Sequence, residues 1–290
     1  MATEQLSGPP WLAPRYVLAL LPGRGGSGGA LPDRELALDG LRVDPGQLAE
    51  YAKVCGFGMN GTVPVTYPQV LALGAQLKLM TEPGFPLRLP GLVHLRQRIH
   101  QRRPIALDEP LDLRVRAADL RGHPKGAQVD LVASVSVTGE PVWEGRSTYL
   151  ARGARAPEPV PAGPDEPEPE EVPGPLSARW RLGGDVGRRY AAVSGDVNPI
   201  HLHPLTARLF GFPGAIAHGM WSAARCVATL GGRLPEAYDL DVAFRKPIVL
   251  PTTVELHTAR VDGGWVLTLR GVDADRVHLV MAARPSDQTG

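Results

Sequence analysis

The stretch Tyr190–Met220, YAAVSGDVNPIHLHPLTARLFGFPGAIAHGM, gathers an acid, an amide and an imidazole in Asp196-Val-Asn198-Pro-Ile-His201. It lies between two segments of helical pattern and ends in His218-Gly219 at a helix start. Asp196 and His201 are the side chains here that can move protons near neutral pH, and Asn198-Pro199 is turn chemistry that holds them on a fixed loop. Each piece alone has a plainer reading, since Asp-x-Asn-Pro is commonly a surface turn and a lone His is commonly structural. Their grouping at fixed spacings is what marks a site.

Outward from this stretch, Asp185 to Gly195 reads as a helix, and His218 to Gly231 as a second one with Met220, Ala224 and Val227 on its apolar face. Ala223 and Ala224 allow close packing there, and Trp221 reads as a packing residue. Beyond it, Tyr238 to Phe244 alternates apolar and polar positions, and Val254–Arg260, Trp265–Val272 and Val277–Ala283 add further strands. The last residues, Pro285 to Gly290, are polar and expected to be disordered. Upstream, Arg152–Pro175 is rich in Pro and acid and nearly empty of large apolar residues. It reads as an extended linker whose carboxylates repel, spacing two units without packing on either.

The N-terminal half has a similar plan. Asp44-Pro45-Gly-Gln47 is a helix N-terminus that introduces Leu48, Tyr51, Ala52 and Cys55 at helical spacing, and Gly56 can end that helix. Thr66–Met80 is a second, largely apolar helix, expected to be wrapped by a sheet. In Gly91–Ile99, Val93, Leu95 and Ile99 alternate with His94, Arg96 and Arg98 as in a strand with one solvated face, and Leu111–Val115 and Val129–Val137 repeat the pattern. Helix followed by antiparallel-looking strands argues for an α+β unit. Before all of these, the apolar run Tyr16–Leu21 between Pro14 and Pro22 is consistent with a strand. The Gly23–Gly29 run lacks both phosphate-binding glycine fingerprints and reads as a loop.

The two halves match each other. Tyr51-Ala-Lys-Val-Cys-Gly56 and Tyr190-Ala-Ala-Val-Ser-Gly195 agree at four of six positions at an offset of 139, and Arg103-Pro-Ile-Ala-Leu107 parallels Lys246-Pro-Ile-Val-Leu250 at an offset of 143. Short matches at nearly equal offsets, in corresponding places of a helix-then-strands plan, indicate an internal duplication. The first half lacks the Asp-x-Asn-Pro-x-His loop: Tyr51 to Tyr67 spans 16 positions, against 28 from Tyr190 to His218. If Tyr67-Pro68 matches His218-Gly219, Pro68 also removes a backbone N–H, so one site per chain is expected. The missing loop either leaves extra room in that half or records decay without consequence.

Tyr190, the Ser194-Gly195-Asp196-x-Asn198-Pro199-x-His201 run, Ala207, Gly211-Phe212 and Ile216-Ala217-His218-Gly219-Met220 together resemble the signature of the MaoC-like hydratases and dehydratases, the (R)-specific enoyl-thioester hydratases of the hot-dog fold. The matched positions cover about a tenth of the chain. The resemblance implies a double hot-dog: residues 1–151 as an N-terminal repeat without the catalytic loop, 152–175 as linker, and 176–290 as the catalytic repeat. It implies reversible dehydration of (R)-3-hydroxyacyl thioesters, with Asp196 and His201 as the proton-transfer pair. Which of them meets the carbon-bound proton stays open. Gly219, at a helix N-terminus with no side chain to block approach, is the candidate donor to the thioester oxygen. Asn198, Ser194 and His218 are candidate substrate-binding residues; Asn198 has an equal claim as a turn former, Ser194 is similar, and His218 can also cap its helix. No duty is assigned to His203. A hot-dog acyl thioesterase and a non-catalytic acyl-binding subunit are the competing readings.

No metal and no cofactor are implied, the substrate being an acyl-CoA or acyl-carrier-protein thioester. Arg96, Arg98, Arg102 and Arg103 either meet the phosphates of that carrier or form the solvated face of a strand. The 290 residues suit about two domains of roughly 150 residues, and 43% hydrophobic content can bury a core. Lys+Arg 31 against Asp+Glu 30 gives a formal charge of +1, which points to no nucleic-acid partner. No run approaches membrane-spanning length, and prolines and arginines break any signal-peptide core at the N-terminus, so a cytoplasmic monomer or homodimer is expected. Cys55 and Cys226 are far apart, without metal-ligand spacing, and read as buried, inert thiols.

Overall fold

Asp44 acts at the first helix start as its position requires. Its Oδ1 accepts the Gln47 N–H at 2.7 Å, Pro45 fills the first helical position, and Gly56 closes the helix at φ +84°. The structure, a computed structural model, describes residues 1–19, 29–154, 167–273 and 276–286. In chain order the first half holds β1 (Ala2–Gln5), α1 (Leu12–Ala19), β2 (Arg34–Leu41), α2 (Pro45–Cys55), α3 (Tyr67–Met80), β3 (Leu92–Gln101), β4 (Leu111–His123), β5 (Gly126–Val137) and β6 (Glu140–Arg152). The second holds β7 (Leu176–Leu182), α4 (Val186–Ser194), α5 (Pro199–Leu202), α6 (Pro204–Leu209), α7 (Gly219–Ala228), β8 (Tyr238–Phe244), β9 (Thr252–Val261), β10 (Gly264–Gly271) and β11 (Val277–Pro285).

The duplication is visible in topology. Each half runs strand, helix, helix and then four strands, and the sheet order is β2-β4-β5-β6-β3 in the first and β7-β9-β10-β11-β8 in the second. β1 lies parallel on the edge strand β2, whereas β2–β4, β4–β5, β5–β6, β7–β9, β9–β10, β10–β11 and β11–β8 pair antiparallel. The second half adds α5 and α6 between its two helices, and these carry the Asp196–His201 loop. The paired motifs also do the same job: Ile105 O accepts the Val63 N–H and Ile248 O accepts the Ala217 N–H, both at 2.9 Å. That register pairs Val63 with Ala217, so Pro64, and not Tyr67, holds the chain position of His218. Tyr67 instead supplies a ring from three residues further on, 5.0 Å from the Tyr51 ring, as His218 lies 4.9 Å from the Tyr190 ring.

Packing divides the chain into two compact units that do not follow the expected 1–151, 152–175 and 176–290 divisions. One comprises Met1–Val43, Pro68–Gln97 and Asp108–Pro167; the other comprises Asp44–Tyr67, Arg98–Leu107 and Glu168–Gly290. The physical reason is α2, whose C-terminal carbonyls are taken up by α7: Trp221 Nε1 donates to Val54 O at 3.2 Å and Arg225 Nη1 to Cys55 O at 3.5 Å. In the first unit, Leu77, Met80, Phe85 and Leu87 pack on Leu120, Val129 and Leu131 of the sheet.

Other expectations need correction. Tyr16–Ala19 belongs to a helix, α1, and not to a strand; Pro14 sits in its first turn, where proline is tolerated, and so short an apolar run does not separate helix from strand. Of the glycine run Gly23–Gly29, all but Gly29 lies outside the described residues, as do residues 20–21 of the apolar run and 287–290 at the C-terminus. Pro285, expected among disordered residues, ends β11. In β3 the alternation fails at Arg96, 8% exposed, which donates to Pro167 O at 3.1 Å, and Gln97 beside it accepts a hydrogen bond from the buried Ser147 Oγ. The end of the expected linker packs: Glu168 pairs with Arg245 at 2.5 Å, Glu171 pairs with Arg270, and Pro175 O accepts the Thr258 N–H at 3.2 Å. Its carboxylates meet arginines of the second unit, so mutual repulsion does not govern them. Residues 155–166 of that stretch lie outside the described residues. Both cysteines are buried free thiols, Cys55 pushed up to about 12 by burial and Cys226 raised by the same cause. No helix among the described residues is long and apolar enough to cross a membrane.

Candidate active site

The loop is built by local hydrogen bonds, all within the second unit. At the end of α4, Ser194 Oγ donates back to Tyr190 O at 2.8 Å and accepts the Asp196 N–H at 3.2 Å, while Gly195 takes a left-handed conformation. Asp196 Oδ1 then accepts the Asn198 N–H at 3.3 Å, and Asn198 Oδ1 caps α5 through the Ile200 N–H at 3.4 Å. Pro199 fills the first helical position, and the single turn of α5 carries His201. Ser194 and Asn198, candidate substrate ligands by sequence, thus make these bonds inside the loop. His203, without a duty by sequence, caps α6: its Nδ1 accepts the Leu205 N–H at 3.2 Å.

His201 is fixed by the segment that leads into α7. Its Nδ1 lies 2.8 Å from Ile216 O; a carbonyl only accepts, so Nδ1 carries the proton and Nε2 keeps a free lone pair. Ile216 is itself held, its N–H bonded to Ile200 O at 3.1 Å and its backbone bridged to Val249. His218 follows two residues later. Its ring stacks on His201, centroids 3.7 Å apart and planes at 25°. Its Nε2 donates to the Asp196 backbone carbonyl at 3.0 Å and lies 3.8 Å from the Asp196 carboxylate. Both imidazoles are buried, whereas the Asp196 side chain is 24% exposed, so the carboxylate is the member of the cluster an entering group meets.

Burial pushes His201 down to about 3, reinforced by His218 and opposed by Asp196 and the Ile216 carbonyl. Burial lowers His218 too, opposed by Asp196. Both rings are neutral at pH 7, which leaves a lone pair on His201 Nε2, and burial holds the proton affinity of that ring low. At the start of α7 the His218 side chain makes no capping bond, and the first N–H groups of a helix have no partner within it. Gly219 therefore offers a donor at the positive end of the helix dipole. Phe244 of β8 explains the glycine: a Cβ at 219 would lie 3.1 Å from its ring.

One donor atom each from Asp196, His201 and His218 lie within 4.8 Å of one another, close enough to ask whether they hold a metal. The stacking argues against it. A metal–imidazole bond of roughly 2.0–2.1 Å lies in the ring plane, and nearly parallel planes 3.7 Å apart do not meet that close to both nitrogens. The arrangement suits proton transfer.

The structure holds Asp196, His201 and His218 within 4.8 Å of one another, with Gly219 next to His218 in the chain; sequence reasoning missed what seats them. Gly187 is the main omission: a Cβ there would lie 2.0 Å from the His201 carbonyl oxygen, so α4 touches the His201 backbone where it has no side chain. A glycine inside a helix, roughly 1 kcal/mol worse than alanine, was the available signal. The Ile216 carbonyl and Phe244 left none, being brought in by the bridge to Val249 and by β8. Of the arginine cluster, Arg96 and Arg103 donate to the backbone carbonyls of Pro167 and Pro104.

Comparison with known proteins places the whole chain. The MaoC like domain matches residues 175–277. The chain is 41% identical over 254 residues to 3-hydroxyacyl-thioester dehydratase X of Mycobacterium tuberculosis, covering 88% of this chain and 90% of that protein. A crystal structure of HtdX from Mycobacterium tuberculosis superposes with a TM-score of 0.77 at 39% identity, covering 87% of this chain and all of the other. A further Mycobacterium tuberculosis protein, with a double hot-dog fold, shares the fold alone: its TM-score is 0.54 at 16% identity, over 88% of this chain and 98% of the other. With this signature seated on a duplicated helix-and-sheet plan, and with a relative of this identity spanning most of both chains, the chain belongs to the MaoC-like dehydratases of the double hot-dog fold.

Proposed function

We propose that the protein is a hydro-lyase that interconverts (R)-3-hydroxyacyl and trans-2-enoyl thioesters. The observation that carries this reading is that a carboxylate oxygen of Asp196 and a ring nitrogen of His201 lie within 4.8 Å of one another, supported by the name of the relative that spans 88% of the chain. Dehydration breaks a carbon–hydrogen bond at carbon 2 and the carbon–oxygen bond at carbon 3. The proton passes to the acid/base pair, the electron pair forms the new double bond, and the hydroxyl leaves with a proton as water. Proton and electron count close without an oxidant, reductant or metal, so the reading includes no cofactor. Charge that builds on the thioester oxygen is met by the Gly219 N–H, a type of donor whose loss costs on the order of 10²–10³ in rate. Two proton-transfer groups on one short loop address one face of the substrate, which suits syn elimination.

The same reading takes coenzyme A or an acyl-carrier protein as the thiol carrier, a cytoplasmic setting in which buried thiols stay reduced, and a monomer or homodimer. The test is hydration of trans-2-enoyl-coenzyme A of short and medium chain length, followed by the loss of the conjugated enoyl absorbance and by the configuration of the product. Wild-type protein forms the (R)-3-hydroxy product, and Asp196→Asn and His201→Ala each lose at least 10²-fold while staying folded. Release of free thiol without hydration would replace the reading with a thioesterase.

A further inference from the structure

We infer that His218 is the positioning residue of this site, setting the acid and the base through one ring; this rests on the hydro-lyase reading. The Nε2–H of His218 holds the backbone carbonyl of Asp196 at 3.0 Å, and its ring face lies on His201 at 3.7 Å. The Tyr190 ring closes the other contact at 4.9 Å, and only 2% of His218 is exposed. The residue after it, Gly219, offers the oxyanion donor, so one side chain ties together all three working groups. His218 stands at the N-cap of α7, where a side chain ordinarily accepts from the first turn, and it makes no such bond. Its Nδ1 is buried without a hydrogen-bond partner among the described residues.

The first half of the chain supplies an internal control. There the ring place beside Tyr51 is taken by Tyr67, at 5.0 Å, and there is no Asp-x-Asn-Pro-x-His loop. Ring packing alone is therefore met by a phenol. The imidazole stands where a loop carbonyl has to be gripped by an N–H, and the Tyr67 hydroxyl is no substitute at a different chain position. Gripping the carbonyl sets where the Asp196 carboxylate points, and a misplacement of about 1 Å at a reacting group costs on the order of 10²-fold.

The experiment pairs a measurement on the wild-type chain with two variants. Imidazole ¹⁵N spectra of the full chain, labelled at histidine, report the His218 tautomer at pH 7, its signals assigned by their loss in the variants. The expected form carries its proton on Nε2; a proton on Nδ1 overturns the inference whatever the variants do. His218→Phe keeps a ring and removes the N–H: kcat for enoyl-thioester hydration falls roughly tenfold to hundredfold with KM within about twofold, and the His201 signals move. His218→Gln keeps an N–H and loses the ring, and recovers part of kcat relative to His218→Phe. Wild-type kcat in His218→Phe, or no recovery in His218→Gln, also overturns it. If His218→Phe does not fold, the tautomer and His218→Gln decide. If the wild-type chain hydrates no enoyl-thioester, the functional reading falls, and the tautomer together with the His201 signals still decides the role of His218.

Discussion

Gly187→Ala is a one-methyl change outside the proposed reacting groups, and it reads the seating of His201 directly. An alanine Cβ on α4 would stand 2.0 Å from the His201 carbonyl oxygen, 3.0 Å from its carbon and 3.5 Å from the His201 Cα. Real contacts of this kind lie beyond 3.0 Å, so the two backbones must part by about 1 Å. The atoms in the way are main chain and cannot rotate aside. Arg188, next along α4, also donates to Leu202 O at 3.2 Å, so the displacement strains a second tie between the same two helices. Alanine gains roughly 1 kcal/mol in helix propensity, but overpacking costs roughly 1–3 kcal/mol, so the net stability change is a small loss. Function is hit harder, because a shift of about 1 Å at a proton-transfer group costs on the order of 10²-fold. Hydration of trans-2-enoyl-coenzyme A and thermal denaturation, measured side by side, should show a large fall in kcat with a Tm lower by a few degrees. Gly184→Ala is the control, since nothing lies within 4 Å of its added Cβ. Gly187→Ala with wild-type kcat would refute the claim that this contact positions His201.

Two further outcomes follow from the same geometry. Burial holds His201 at about 3 in the folded chain against 6.5 for an unperturbed imidazole. The folded value is the lower one, so the unfolded chain takes the proton first on acidification; stability is complete above about 6.5 and is lost as pH falls toward 3, about 2 kcal/mol by pH 5 for this residue alone. Tm should therefore drop between pH 7 and pH 5 and drop less in His201→Ala; equal slopes would count against a neutral buried His201. At the start of α7, Gly219→Pro removes the N–H from a position where proline suits a helix, whereas Gly219→Ala keeps it and presses the Phe244 ring at 3.1 Å. Rate should fall 10²–10³ for proline and far less for alanine, and equal losses would mean that Phe244 packing, and not the donor, is what the glycine serves.

The family, the duplicated plan and the cluster of Asp196, His201 and His218 were legible in the sequence, because each is carried by residues close together in the chain. Asp44, Gly56 and Asn198 act through backbone groups within a few positions of themselves, so their caps and turns are written locally. Asp196, His201 and the His218-Gly219 pair lie in one span of 24 positions with fixed spacing. The tertiary structure alone decided what acts at a distance. It placed Ile216 to set the His201 tautomer, brought α4 against the His201 backbone at Gly187, laid Phe244 on Gly219 and stacked the two imidazoles. It also drew Asp44–Tyr67 into the unit that carries the site, and bound the acidic end of the expected linker to Arg245 and Arg270. The physical reason is the range of the forces involved: capping and turn bonds depend on the neighbouring residues, whereas proton affinity and steric contact depend on whatever the fold brings within a few ångströms.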